Sequence, residues 1–186
     1  MDQPFRIAPV APPYPPDVAA SLGKWMPPGA AVEPLALFRV LQRHPALAER
    51  MRPLGAFLLG KTSLTLRERE LVILRSCARS GAEYEWGVHA SAFGGAAGLD
   101  AAALDATRAP APGGPLDAAD RALLAVVDEL HDTGTVSDAG WRATDGRFSD
   151  EARLELLVLV GFYHLISFVA NGARVELEAW AARWLQ

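Results

Sequence analysis

Residues 65–89 read TLRERELVILRSCARSGAEYEWGVH, and this stretch decides the fold. Thr65, with Glu68 three residues later and an apolar run behind it, makes a capping box, so a helix begins at Leu66. Gly81 is the natural stop for that helix. A second helix follows at once, over about 82–97, and Gly98 ends it. Two helices joined by so short a break form a hairpin whose inner faces meet.

Outward from the hairpin the pattern stays helical. Upstream, Leu35, Phe38, Leu41 and Gln42 step by three and four, and residues 46–59 read as a short helix after Pro45. Downstream, Asp100 caps a helix over 100–107, and APAPGGP at 109–115 is a loop by composition. Asp117 to His131 is amphipathic, Ser137 caps a short turn of helix through Trp141, and Ser149 or Asp150 opens a long apolar helix reaching about Ala170. Asn171-Gly172 is expected to break it, and residues 173–185 close the chain. No segment alternates with period two, so the class is all-α, a helical bundle over residues 35–186.

Residues 1–34 stand apart. They hold nine of the 14 prolines, which remove backbone donors and fix φ. An extended, polyproline-like arm with no regular helix is expected. Phe5, Ile7, Val10, Tyr14, Trp25 and Met26 make it too apolar for a free linker, so it should lie on its own domain or on a neighbouring subunit.

Composition excludes several classes. Lys plus Arg is 18 and Asp plus Glu is 22, a net charge of −4, which speaks against a nucleic-acid binder. Cys77 is the single cysteine, so there is no internal disulfide and no dithiol centre within one chain. The first residues carry no signal-peptide pattern, and a cytoplasmic location is expected. The uncharged run 156–170 is 15 residues long, against roughly 20 for a bilayer span, so a buried core or intersubunit helix is expected rather than a membrane segment.

The candidate site sits on the hairpin. Leu66, Glu70, Ile73 and Cys77 share one stripe of the first helix, where Glu70 interrupts an apolar face. On the second, Glu85 and His89 are four residues apart and can meet, with Ala82, Ala92 and Ala96 leaving room for a ligand. Two carboxylates and an imidazole form an acid–base set that suits moving a proton to or from carbon. The bland alternative is a surface Glu–His pair with Glu70 reaching solvent. ELVIL and EWGVH match no zinc signature, so no metal is expected. Cys77 reads as core packing. Tyr84, Trp86 and Tyr163 read first as packing groups and second as walls of a substrate pocket. Arg75 and Arg79 suit either an acidic substrate or surface pairing with Glu. With no strand there is no phosphate loop, so no nucleotide cofactor is expected.

The run LTLRERELVILRSCARSGAEYEWGVHASAFGGAAGLD (64–100) and the later FYHLISFVANGARVELE (162–178) resemble the carboxymuconolactone decarboxylase and alkylhydroperoxidase D (AhpD-like) superfamily, best over about residues 50–110. In the peroxidase branch a Glu, a Cys-x-x-Cys pair and a His carry the chemistry. Glu70 and His89 fall at the Glu and His, while Ala82 and Glu85 stand at the cysteines, so the resemblance implies no thiol peroxidase. Glu83, Tyr84, Glu85, Trp86 and His89 resemble the decarboxylase branch, although Glu70 is peroxidase-like. The resemblance implies a homo-oligomer, trimeric or hexameric, that takes a small-molecule substrate without a cofactor. It points to Glu70, Glu85 and His89 as catalytic, with Tyr84, Trp86, Tyr163 and Asn171 as substrate-binding candidates. A cofactor-independent lyase or isomerase is the leading expectation. The rival is a non-catalytic binding or scaffold protein that has lost the redox cysteines.

Overall fold

A computed structural model describes residues 5–26 and 32–184. The element order is α1 (Pro16–Gly23), α2 (Ala36–Leu41), α3 (Pro45–Gly60), α4 (Leu66–Arg79), α5 (Glu83–Phe93), α6 (Ala101–Ala106), α7 (Ala118–Thr133), α8 (Asp138–Arg142) and α9 (Asp150–Ala173), with no strand among the described residues. The chain is all-α.

Local chemistry sets most helix starts. The Thr65 hydroxyl accepts from the Glu68 backbone N–H, and the Glu68 carboxylate accepts from the Thr65 N–H in return. Asp100, Asp117, Ser137 and Ser149 accept in the same way from the third residue of α6, α7, α8 and α9. Gly134, at φ 72°, ends α7 in the left-handed conformation that glycine adopts without steric penalty.

The helix α4 is the axis of the fold. Helices α5, α7 and α9 all pack on it, so it is covered on every side rather than along one stripe. Leu71, Val72, Ile73 and Leu74, four consecutive residues, are all fully buried. Arg75 is buried too. Its guanidinium makes paired bonds to Asp128 of α7 (2.6 and 2.8 Å) and donates to the Thr107 and Ala109 carbonyls. Arg79 pairs with Asp128 and Asp132. Both arginines therefore join α4 to α7, and their partners are aspartates rather than glutamates.

Three boundaries differ from the sequence expectation. The arm is not wholly extended: α1 lies inside it, started by Pro16 in the first turn, where a missing N–H costs nothing. The arm rests on its own chain, with Val10 N–H bonded to the Arg39 carbonyl, Arg6 N–H to Ala173, and Trp25 against Phe38 (ring centroids 4.8 Å apart). Pro4, Pro27 and Pro28 of the expected arm lie outside the described residues. The helix α5 ends at Phe93, before the Gly94-Gly95 pair, rather than near Ala97. The helix α9 runs through Asn171-Gly172 and stops at Arg174, whose φ of 55° is left-handed.

At 24 residues, α9 is longer than its uncharged run, and it is long and apolar enough to cross a bilayer by length and composition. Half of that apolar window is buried within this chain. The segment after α9 is irregular and folds back on α5, where Ala182 N–H reaches the Gly87 carbonyl (3.3 Å) and Ser91 Oγ (2.8 Å). Gly87 is required here, because a Cβ on it would lie 2.3 Å from the Ala182 carbonyl oxygen.

Candidate active site

The capping box sets the phase of α4, and that phase turns Glu70 toward α5 and α9. Three helices then contribute to one buried cluster: Glu70 from α4, Glu85 and His89 from α5, and Tyr163 from α9. Glu70 is 0%, His89 4%, Glu85 5% and Tyr163 3% exposed.

His89 is held at both nitrogens. Its Nδ1 lies 2.8 Å from Glu70 Oε2, and its Nε2 lies 3.0 Å from the Tyr163 hydroxyl. Glu70 Oε1 in turn accepts from Arg69 Nε (2.8 Å) and Nη2 (2.7 Å). The network assigns the tautomer. A carboxylate only accepts, so Nδ1 carries the proton, and the Nε2 lone pair accepts from the phenol. The result is a line of partners from Arg69 through Glu70 and His89 to Tyr163. Phe93 closes one side, its ring 5.2 Å from the imidazole and 5.4 Å from the Arg69 guanidinium carbon.

The two carboxyl groups are driven in opposite directions. Burial pushes Glu70 upward, but the His89 charge and bond, together with Arg69, outweigh it and hold the carboxyl below its ordinary value. Burial dominates at Glu85; the His89 charge opposes it and the Glu178 charge adds to it, raising the group to about 7. Glu85 has no carboxylate-matching donor like Arg69, and its approach to His89 Nε2 is 3.9 Å, too long for a hydrogen bond. Burial, then Glu85 and Glu70, push the Tyr163 phenol far up, so it stays a donor. Cys77 is fully buried, and burial first, then the Glu85 charge, push its thiol well up, leaving it a core group.

Hence the structure brings together Glu70, Glu85, His89 and Tyr163 from the sequence candidates. Glu70, not Glu85, orients His89. Residues four apart on one helix lie side by side, whereas Glu70 meets the ring head-on from another helix. Of the alanines expected to leave room for a ligand, Ala92 and Ala96 are exposed and Ala82 is buried in the core.

Tyr84, Trp86 and Asn171 make their bonds elsewhere. The Tyr84 hydroxyl accepts from Leu37 N–H and donates to Glu178 (2.8 Å). Trp86 Nε1 donates to Thr107 Oγ1 (3.0 Å), its ring lying against Trp184 and under Arg108. Asn171 donates to the Ser80 carbonyl (2.9 Å), tying the end of α9 to the end of α4. These bonds tie neighbouring segments together and lie outside the Arg69–Glu70–His89–Tyr163 line. Arg69 was not anticipated, since neighbours on a helix point about 100° apart and no spacing rule pairs them. Among the described residues, no group of three or more His, Cys, Asp or Glu is arranged to hold a metal ion. A surface groove of about 210 Å³ between α1 and α3, lined by Asp17, Trp25, Glu49 and Arg52 among others, includes none of the cluster and offers no acid–base set.

Comparison with known proteins agrees with this architecture. The carboxymuconolactone decarboxylase family matches residues 45–128, which include α3, α4 and α5 and so every cluster residue except Tyr163. No curated protein matches the chain. A peroxidase-related protein of uncharacterised function from Silicibacter sp. TM1040 superposes with a TM-score of 0.80 at 17% identity, over 96% of each chain. An AhpD-core peroxidase-related protein from Ralstonia eutropha JMP134 gives 0.78 at 17% identity, over 95% of each. The debrominase Bmp8, as its C82A variant with 2,3,4-tribromopyrrole, gives 0.77 at 13% identity, over 96% of this chain and 95% of its own. At these identities the likeness is one of fold.

Proposed function

We propose that this chain, which carries the carboxymuconolactone decarboxylase family domain over residues 45–128, is a cofactor-independent lyase or isomerase that moves a proton at carbon in a small carboxylated or carbonyl compound. The observation that carries this reading is His89, fixed between a carboxylate at Nδ1 and a phenol at Nε2. Such an imidazole gives and takes protons at a set position.

For a decarboxylation, the bond between the carboxylate carbon and its neighbour breaks. Carbon dioxide leaves, and the electron pair passes into the adjacent carbonyl as an enolate. With His89 in its imidazolium form, Nε2–H donates to the Tyr163 oxygen, and the phenol O–H, held neutral by burial, is free to donate to the enolate oxygen. The imidazolium of His89, or the Glu85 carboxyl that retains its proton up to about pH 7, returns a proton to carbon. Isomerisation uses the same groups, with His89 first removing the proton. A Cys-x-x-Cys peroxidase cycle needs two thiols, and the chain has one cysteine.

The closure of the cluster favours a second reading, a binding or scaffold protein in which the network only supports the fold. Proton exchange separates the two. Lactone carboxylic acids and keto acids are incubated with the protein in D₂O and followed by NMR for deuterium at carbon and for loss of carboxylate. The enzyme reading expects turnover that falls by about 10²–10⁴-fold in His89→Ala. Absence of turnover across the panel, or equal rates in the variant, gives the molecule to the scaffold reading.

A further inference from the structure

Two histidines outside the cluster meet between α7 and α9. His131, in the last turn of α7, has its Nδ1 2.8 Å from Nε2 of His164 in α9. His164 Nδ1 lies 2.8 Å from the Val160 carbonyl oxygen. A carbonyl only accepts, so Nδ1 carries the His164 proton, and its Nε2 holds a lone pair aimed at His131. His131 Nδ1–H donates into that lone pair. Both rings are half-buried, so solvent reaches the pair. The acid–base cluster uses neither ring, since His89 takes Glu70 and Tyr163 as its partners.

The surroundings suit a cation at this place. A backbone carbonyl that takes the far N–H of an imidazole fixes its tautomer and direction, which is how metal-ligating histidines are oriented. Burial first, then the Arg79 and His164 charges, hold His131 below its ordinary value against Asp132 and Asp128, so protons compete weakly for its lone pairs. Arg75 and Arg79 are matched by Asp128 and Asp132, so a dication beside His131 meets no net positive charge from these four. Spacing agrees as well. Two nitrogens bound to Zn²⁺ at 2.0–2.1 Å in a tetrahedron stand about 3.3 Å apart. The observed 2.8 Å widens to that by small side-chain rotations, with no movement of either helix.

We propose that His131 and His164 form a two-imidazole site for a divalent transition metal of the Zn²⁺, Ni²⁺ and Cu²⁺ group, which bridges α7 to α9 with water in its remaining positions. Neutral imidazole is the ligand these ions share. The metal takes the place of the shared hydrogen. His131 gives up its Nδ1 proton and takes one from solvent at Nε2, so both ligands stay neutral and no net proton is released. A metal held from two helices binds the folded chain and not the unfolded one, and so stabilises the bundle. The site is separate from His89, and the proposal does not rest on the activity proposed there.

The test is titration calorimetry of the full chain, stripped with a chelator, against zinc chloride at neutral pH. The expected result is a single Zn²⁺ per chain, with affinity falling by at least about tenfold in His131→Gln and in His164→Gln separately. Circular dichroism checks that both variants stay helical. His44→Asn, at the start of α3, should bind as the wild type does. Zn²⁺ should also raise the urea midpoint of the wild type and of His44→Asn, and leave that of the other two variants where it was. A second readout needs no variant. In long-range nitrogen–proton correlation spectra of the wild type, Zn²⁺ should shift Nδ1 of His131 and Nε2 of His164 and leave the other nitrogen of each ring protonated. Absence of saturable binding, or binding that neither variant weakens, overturns the proposal and leaves the pair as a hydrogen bond between helices. Loss in one variant alone does the same, because it means a lone surface imidazole. So does a zinc shift at Nε2 of His131, the nitrogen on the far side of the ring from His164.

Discussion

Glu85→Gln should make the protein more stable, and only above a definite pH. Burial lifts Glu85 from 4.5 to about 7. A shift of that size corresponds to about 3 kcal/mol between the two protonation states. Its sign follows from linkage. Below pH 4.5 the carboxyl is protonated in folded and unfolded chains alike and contributes no difference. From about 4.5 to 7 the unfolded chain releases the proton while the folded one keeps it, so wild-type stability falls as the pH rises. Above about 7 both forms are ionised, and the folded protein bears the full burden of a buried carboxylate without a matched donor. An amide at the same place never ionises. The variant minus the wild type should therefore gain about 3 kcal/mol between roughly pH 4.5 and pH 8.5. Urea unfolding at fixed protein concentration, at these two pH values, measures it. The contribution of Glu70 is present in both proteins and cancels. A difference between the two proteins that does not change with pH would refute the reasoning.

Glu70→Gln should do the opposite: it leaves the Arg69 guanidinium buried without its anion and should lose about 3–5 kcal/mol near neutral pH by chemical denaturation. Because the native Glu70 carboxyl is held low, its contribution is present above the unfolded pKa. It is lost as the pH falls through the folded one, so the gap between wild type and variant should close in acid. Gly87→Ala gains helix propensity but drives a Cβ to 2.3 Å from the Ala182 carbonyl oxygen. A net loss of about 1–3 kcal/mol, with earlier proteolytic release of the segment after α9, is expected. Cys77, buried with its thiol pushed up, should react with an aromatic disulfide reagent only as fast as the chain unfolds. A rapid native-state reaction would show that the α4–α9 contact opens locally.

Features governed by chain neighbours were the legible ones. The caps at Thr65, Asp100, Asp117, Ser137 and Ser149 are local contests between a side chain and the first free N–H groups, so three or four residues suffice to recognise them. The choice of Glu70, His89 and Tyr163 also rested on the sequence, because a polar group on an apolar stripe has few inexpensive places to go. Long-range geometry was not legible in this way. That α4 is buried all round depends on three other helices arriving. That Glu70 rather than Glu85 bonds to His89 depends on the angle at which α4 meets α5. Tyr84, Trp86 and Asn171 stand close in sequence to the cluster or to its helices, yet their partners, Glu178, Thr107 and Ser80, could be identified only from the fold. Pro16 misled in a different way: proline breaks a helix interior and favours a helix start, and composition alone does not tell the two apart.

The closed cluster has a kinetic consequence. Under the lyase or isomerase reading proposed above, Glu70, Glu85, His89 and Tyr163 at 0–5% exposure would be reached by a substrate only during the fraction of time in which the packing around them, half-buried Phe93 included, stands open. Capture is then slowed by that fraction: a site open about one hundredth of the time binds roughly a hundredfold more weakly than its contacts alone would allow. On that reading, a first kcat/KM would measure the frequency of opening as much as the chemistry at His89. Trimming Phe93 to leucine should raise kcat/KM while leaving the pH profile where it was.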